Sequence, residues 1–153
     1  ITNNTADSDT NTIGNGGGVA TGGAGALILR NTIVAGNTDA GGEAPDCFEG
    51  VGPLSSNGDT LIGDTTGCGG IAPGPGDIPN GNARLNALLF NGGPTPTHAI
   101  GRESQARNAG SSCPDADQRG LPRQCGQNGD ADGGGAALCE RVPVLAARLP
   151  TRR

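Results

Sequence analysis

The apolar residues of this chain come in short clusters. Leu27-Ile28-Leu29, Ile33-Val34 and Leu61-Ile62 are separated by runs of Gly, Asn, Asp and Pro. That alternation of β-branched pieces and turn residues is the signature of short strands joined by bends. The chain also lacks the means to build an ordinary core. It has no Trp, Tyr or Met, its only aromatics are Phe48 and Phe90, and 30 of its 153 residues are Gly. A compact globular core relies on large side chains to bury enough apolar area. Two kinds of chain manage with so few. One is disordered, and the other stacks short repeats so that small residues of neighbouring coils share a thin core. A disordered chain would carry more charge than 16% and fewer apolar clusters, so stacking ranks first.

Charge excludes some functions. The net charge is −5, Lys is absent, and there is neither a basic stripe nor an aromatic stacking platform. Nucleic-acid binding is therefore not expected. No stretch approaches the roughly 18 apolar residues of a membrane span. The opening Ile1-Thr2-Asn3 reads like the middle of a repeat, from which an N-terminal continuation of the natural protein is expected.

Along the chain, Ile1-Thr2-Asn3-Asn4-Thr5 is similar in type to Ile33-Val34-Ala35-Gly36-Asn37-Thr38: a short β-branched piece, then Asn-Thr. Residues 26–35 make the best strand. With period-two alternation, Leu27, Leu29, Asn31 and Ile33 share one face, and Ile28, Arg30, Thr32 and Val34 the other. Arg30 must reach water, so the first face is expected inward. Asn31 then either stacks inside at a turn, bonded to adjacent backbone, or sits in an exposed bend. A further short strand is expected at Thr60-Leu61-Ile62. Pro73, Pro75 and Pro79 predict that Gly69 to Gly81 is an excursion without regular structure. Leu85, Leu88 and Leu89 suit a short helical turn or a packed loop. The rigid turn Asn91 to Pro96 leads into a last strand. The expected organisation is β-coils with a loop excursion over 1–110, a disulfide-tied polar segment over 111–140, and an irregular tail over 141–153.

Five cysteines stand in this polar chain, with no CxxC pair and only one His. A structural zinc site is improbable, and disulfides in an oxidising compartment are the simpler reading. Cys47 and Cys68 sit beside turn residues at the two ends of one excursion and are expected to pair. For the other three, Cys113–Cys139 is the preferred pair, leaving Cys125 free, and Cys113–Cys125 is its close rival.

At this point six ordered motifs stand together: LRNTIVAGNT (Leu29 to Thr38), PDC (Pro45 to Cys47), LIGDTTGC (Leu61 to Cys68), NGGPTPTHA (Asn91 to Ala99), NAG (Asn108 to Gly110) and DQRGLPR (Asp117 to Arg123). Over residues 1 to 139 the chain resembles the choice-of-anchor Q domain, the C-terminal part of many bacterial surface proteins. The resemblance implies an all-β fold, a right-handed parallel β-helix similar in architecture to pectin lyases and polymorphic outer-membrane proteins. It also implies export to the cell surface or beyond. It implies little chemistry, because fold does not fix function. The chain departs from the family pattern after Cys139, where Glu140-Arg141-Val142-Pro143 replaces the usual aspartate and Ile-Gly-Ala-aromatic-Glu strand. Leu149-Pro150-Thr151 lacks the spacer and glycine of a sortase signal.

Catalytic residue types are scarce. His98 is the only candidate base for a Ser-His-Asp triad, there is no GxSxG elbow, and His98 lies in a Pro-Thr-Pro-Thr turn that the resemblance implies is structural. A β-helix polysaccharide lyase would need Lys or Arg beside an acidic cluster. Arg30 is the one basic residue on a confident strand, and no such cluster neighbours it in sequence. Asn128-Gly129-Asp130-Ala131-Asp132-Gly133 matches the opening of a calcium loop, with Asn128, Asp130 and Asp132 as candidate ligands. The Glu wanted at the twelfth position falls one residue late, at Glu140, and a soluble acidic-glycine linker is slightly favoured. Gly14 to Gly25 forms no complete GxGxxG and reads as turns. The function expected from the sequence is a non-catalytic structural or adhesive module of an exported bacterial surface protein, in contact with polysaccharide or host-surface components. The alternative is the C-terminal part of a carbohydrate-active β-helix enzyme whose active site lies upstream.

Overall fold

The computed structural model describes residues 1–121 except 10, 12, 72 and 111–115. Cys113, Cys125 and Cys139, the calcium-loop residues Asn128, Asp130 and Asp132, most of the 111–140 segment and the 141–153 tail lie outside the described residues.

The described chain is all β, with eleven short strands and no helix among the described residues. In chain order they are β1 (Thr5–Ala6), β2 (Val19–Thr21), β3 (Leu27–Leu29), β4 (Ile33–Val34), β5 (Thr38–Asp39), β6 (Cys47–Glu49), β7 (Leu54–Ser56), β8 (Leu61–Ile62), β9 (Ile78–Pro79), β10 (Leu85–Leu89) and β11 (Thr97–Ile100). From β1 to β7 no strand pairs with its neighbour in sequence. Instead β2, β3 and β4 lie parallel on β6, β7 and β8, with Val19 opposite Cys47, Leu27 opposite Leu54 and Ile33 opposite Leu61. The chain thus repeats its path about every 28 positions, one layer on the next. β1 lies parallel on β5, so Thr5 meets Thr38, and β9 lies parallel on β8. Only β10 and β11 form an antiparallel hairpin, with an irregularity between Leu85 and Leu88.

Layering works here because the core needs only small side chains. Leu29, Val34, Cys47, Leu54, Ile62 and Cys68 form one buried cluster, against which Val19, Leu27 and Ile71 pack. Ile33, Ala35, Leu61, Ala83 and Ala106 form a second, joined by Ile78, Leu85, Ile100 and Ala109. Each aliphatic side chain fully buried contributes about 1.5–3 kcal/mol. Glycine permits the close approach of layers. A Cβ on Gly18 would sit 2.5 Å from the Asp46 carbonyl oxygen and 2.7 Å from Val34 Cγ1.

Leu27, Leu29 and Ile33 face the core and Arg30 faces water, as the alternation predicts. Val34 does not follow it. Expected on the outer face, it is fully buried. The cause is Asn31, whose φ of 47° is a left-handed bend, a conformation Asn tolerates better than most residues. The bend divides residues 26–35 into β3 and β4 and restarts the alternation, so Ile33 and Val34 enter different clusters. Asn31 itself is half-buried, and its N–H donates to the Gly58 carbonyl in the next layer at 3.2 Å.

Two further expectations are corrected. The proline-rich excursion contains β9, where Pro79 is tolerated because the strand pairs with β8 alone; an edge strand has a side that needs no N–H. Residues 82–90 are not a helical turn but carry β10, on which Leu88 and Leu89 are exposed.

Candidate functional site

The turns between layers line up as the strands do. Residues 35–37, 63–64 and 80–83 form one wall of an open cleft of about 580 Å³, completed by Thr2, Asn3, Pro45, Asp46, Arg84, Leu85 and His98.

Asp46 organises this wall. Its side chain is buried, and Oδ1 accepts from Asn37 N at 3.0 Å and Asn37 Nδ2 at 2.8 Å, while Oδ2 accepts from Asp64 N at 2.8 Å. Asn37 is buried too. Its Oδ1 accepts from Asn4 N at 3.1 Å and from Asn4 Nδ2 at 2.9 Å. The result is a polar ladder, Asn4 to Asn37 to Asp46 to the Asp64 amide, crossing the layers. A buried carboxylate is tolerated only with such donors around it. The next rung repeats the device. Asn80 Oδ1 accepts from Thr65 N at 3.0 Å and Thr65 Oγ1 at 2.9 Å. Asp64 Oδ1 accepts from Thr66 N at 2.8 Å. Hydrogen bonds from the Thr66 side chain and backbone hold the Asp64 carboxyl below the usual aspartate range.

The polar side chains Arg84 and His98 at the rim are already engaged. Arg84 meets Glu103 at 3.1 Å, both well exposed, so the pair contributes little to stability. His98 Nδ1 lies 2.6 Å from the Asn86 carbonyl oxygen. Arg30 does not line the cleft. Among the described residues no group of three or more His, Cys, Asp or Glu could hold a metal ion. Most of the cleft lining offers amide, carbonyl and hydroxyl groups, which suit a hydroxyl-rich ligand, and no Phe, Tyr or Trp lines it.

A disulfide locks the base of this wall. Cys47 and Cys68 are bonded, with Cα atoms 5.0 Å apart, and both are fully buried. It ties β6 to the turn after β8, next to Asp46 and Asp64. At the far end, Asp117 and Arg119 form a pair with side chains only 9% and 10% exposed, at 2.7 Å. Arg119 also donates to the Asn91 carbonyl at 2.8 Å. Two of the sequence motifs, the one beginning at Asn91 and the one beginning at Asp117, are thereby joined. A Cβ on Gly93 would lie 2.7 Å from Arg119 Cγ, so glycine leaves room for the Arg119 stem.

Sequence reasoning brought out Cys47 and Cys68 but not Asp46. The available signal was the Asn-Thr recurrence at Asn4 and Asn37, whose side chains need partners once they stack. Among the described residues no helix is long and apolar enough to cross a membrane. Comparison with protein-family models, with curated proteins and with solved structures finds no match to this chain.

Proposed function

We propose that this chain is a structural module of an exported bacterial surface protein, built as coils of a right-handed parallel β-helix and resembling the choice-of-anchor Q domain. The observation that carries the reading is the parallel stacking of three successive strands, β2 to β4, on β6 to β8 at a near-constant interval. A coil that repeats its path at constant interval extends by adding coils, which makes it a spacer. The buried Cys47–Cys68 disulfide supports an oxidising compartment, where such bonds persist. The polar character of the cleft supports shallow contact with polysaccharide or other surface components, and the engaged state of Asp46, His98 and Arg84 supports a non-catalytic role.

Two measurements test this. Intact cells of the native host are shaved with protease, and peptides from residues 1–121 are expected among those released; their recovery from the cytosol alone overturns export. The purified chain is also incubated with pectate, alginate and other uronic-acid polymers, with and without calcium, while unsaturated products and new reducing ends are followed. No turnover is expected. Turnover abolished by changing His98 or Arg30 overturns the structural reading in favour of a carbohydrate-active enzyme.

A further inference from the structure

Seven non-glycine residues among those described have a left-handed backbone, with φ from 41° to 57°. Six of them are Asn or Asp, whose short polar side chains tolerate that conformation. The seventh is Arg84, at φ 41°. A long side chain gains nothing locally there, and Gly or Asn would make the same turn with less strain. The turn itself is needed. It leads the chain from residues 80–83 into β10, and Arg84 O accepts from Gly101 N at 2.8 Å. Strain of this kind gathers where a side chain serves a function.

Arg84 lines the cleft, and its ion-pair partner Glu103 does not. The two side chains are 51% and 77% exposed and meet through one nitrogen, Nη1. Such a pair is weak, and a guanidinium has further N–H donors in a planar fork that fits a carboxylate. His98, on the other strand of the same hairpin, lines the cleft too. Its Nδ1 lies 2.6 Å from Asn86 O. A carbonyl oxygen only accepts, so Nδ1 carries the proton and Nε2 of the neutral ring keeps its lone pair for a hydroxyl.

Arg84 stands at the end of the cleft away from residues 1–3. Asn3 N donates to Gly36 O, Gly63 N to Val34 O and Gly81 N to Ile62 O, so the wall runs from 3 through 36, 63 and 81 to Arg84. The other charged residues lining it are Asp46 and Asp64. Asp46 is buried and already accepts from Asn37 and from Asp64 N. Asp64, in the middle of the wall, accepts from Thr66 N through Oδ1. Its charge repels an anion there but accepts from hydroxyl groups.

We propose that the cleft binds a saccharide bearing a single carboxylate, which Arg84 holds, while a neighbouring hydroxyl donates to His98 Nε2 and the uncharged remainder lies toward Asp64. This rests on the saccharide-contact reading above and gives it a ligand class, a sugar acid flanked by neutral units. One charged fork and a few hydroxyl contacts in an open cleft give a dissociation constant on the order of millimolar.

The test is NMR titration of the whole oxidised chain with the methyl glycosides of glucuronic, galacturonic and mannuronic acid. Each is run beside its methyl ester, which keeps the hydroxyls and loses the charge, and cellotetraose serves as a neutral oligosaccharide. At least one acid is expected to shift the amides of residues 80–85 and 98, and to bind about tenfold tighter than its ester. Trigalacturonic acid, charged on every unit, is expected to bind no tighter than its monomer. Arg84→Gln and Arg84→Gly are expected to lose the preference for the acid, and Arg84→Gly to melt no lower than the wild type, since Gly accepts the left-handed turn. Glu103→Gln releases Arg84 and is expected to bind the acid about twofold tighter, a gain that misfolding cannot produce. Acid and ester that bind alike overturn the proposal, as does a preference for the acid that survives in Arg84→Gln or weakens in Glu103→Gln. If cellotetraose shifts these amides and no acid does, the saccharide contact stands and this proposal falls. If no probe shifts them, both fall.

Discussion

Asn37 sits one layer from Asn4, and its side-chain oxygen accepts from both the backbone nitrogen and the side-chain nitrogen of that residue. The same side chain donates to buried Asp46. Two layers are thus tied through one amide, and the tie depends on a carboxylate that sequence alone marks only as part of a Pro-Asp-Cys turn.

Removing that carboxylate is expected to be costly. Asp46→Ala takes the acceptor from Asn37 N, in a buried place, and from half-buried Asp64 N, and leaves Asn37 Nδ2 with Ile1 O alone. Each buried group left unsatisfied costs about 1–3 kcal/mol, so a loss of about 2 kcal/mol or more is expected in urea denaturation. Asp46→Asn retains one acceptor oxygen and should lose less. Equal, small losses in both variants would remove Asp46 from its organising place.

The disulfide acts chiefly on the unfolded chain. Cys47 and Cys68 are 21 positions apart, and closing a loop of that size stabilises by about 3 kcal/mol in the chain-entropy model. A Cys47→Ala, Cys68→Ala double variant is expected to lose that much, with the parallel strands retained. Free thiols at both positions in the oxidised wild type, found by peptide mapping, would contradict the assignment.

Asp117 sets a pH dependence. Burial raises its carboxyl pKa, but the hydrogen bonds from the Arg119 side chain and backbone and from Leu121 N, with the Arg119 charge, outweigh it and leave the group below its ordinary value of 3.8. A carboxyl depressed in the folded state stabilises above its unfolded pKa and loses that contribution as pH falls through the folded one. Acidification from about pH 5 to about pH 2 is therefore expected to weaken the tie between residues 116–121 and the hairpin loop at Asn91. Amide exchange at Arg119 and Leu121 should accelerate over that interval, and Asp117→Asn should be fast throughout with a flatter profile. Exchange in the wild type that ignores pH, once intrinsic rates are removed, would count against this.

Much of the strand pattern was legible because it is local. The Asn-Thr recurrence at residues 4–5 and 37–38 marked repeat material, and Thr5 and Thr38 indeed meet in paired strands; Leu61-Ile62 announced β8, and the turn residues beside Cys47 and Cys68 announced their pairing. What escaped was set by single backbone choices or by distant partners. Val34 is inside because Asn31 bends the chain left-handed, which no periodicity records. β9 exists because β8 offers an edge that tolerates Pro79. β10 forms although its leucines are largely exposed, because β11, beyond a turn of seven residues, supplies the backbone partners. Asp46 owes its place to Asn37 and Asp64, 9 and 18 positions away.

The central claim is that the chain stacks on itself in parallel layers. Isotope-edited nuclear Overhauser spectroscopy of the oxidised chain tests it most directly. Parallel pairing predicts backbone contacts between Val19 and Cys47, Leu27 and Leu54, and Ile33 and Leu61, with none between β2 and β3 or between β3 and β4. Hairpin contacts between those sequence neighbours, or no long-range backbone contacts at these positions, would contradict the account.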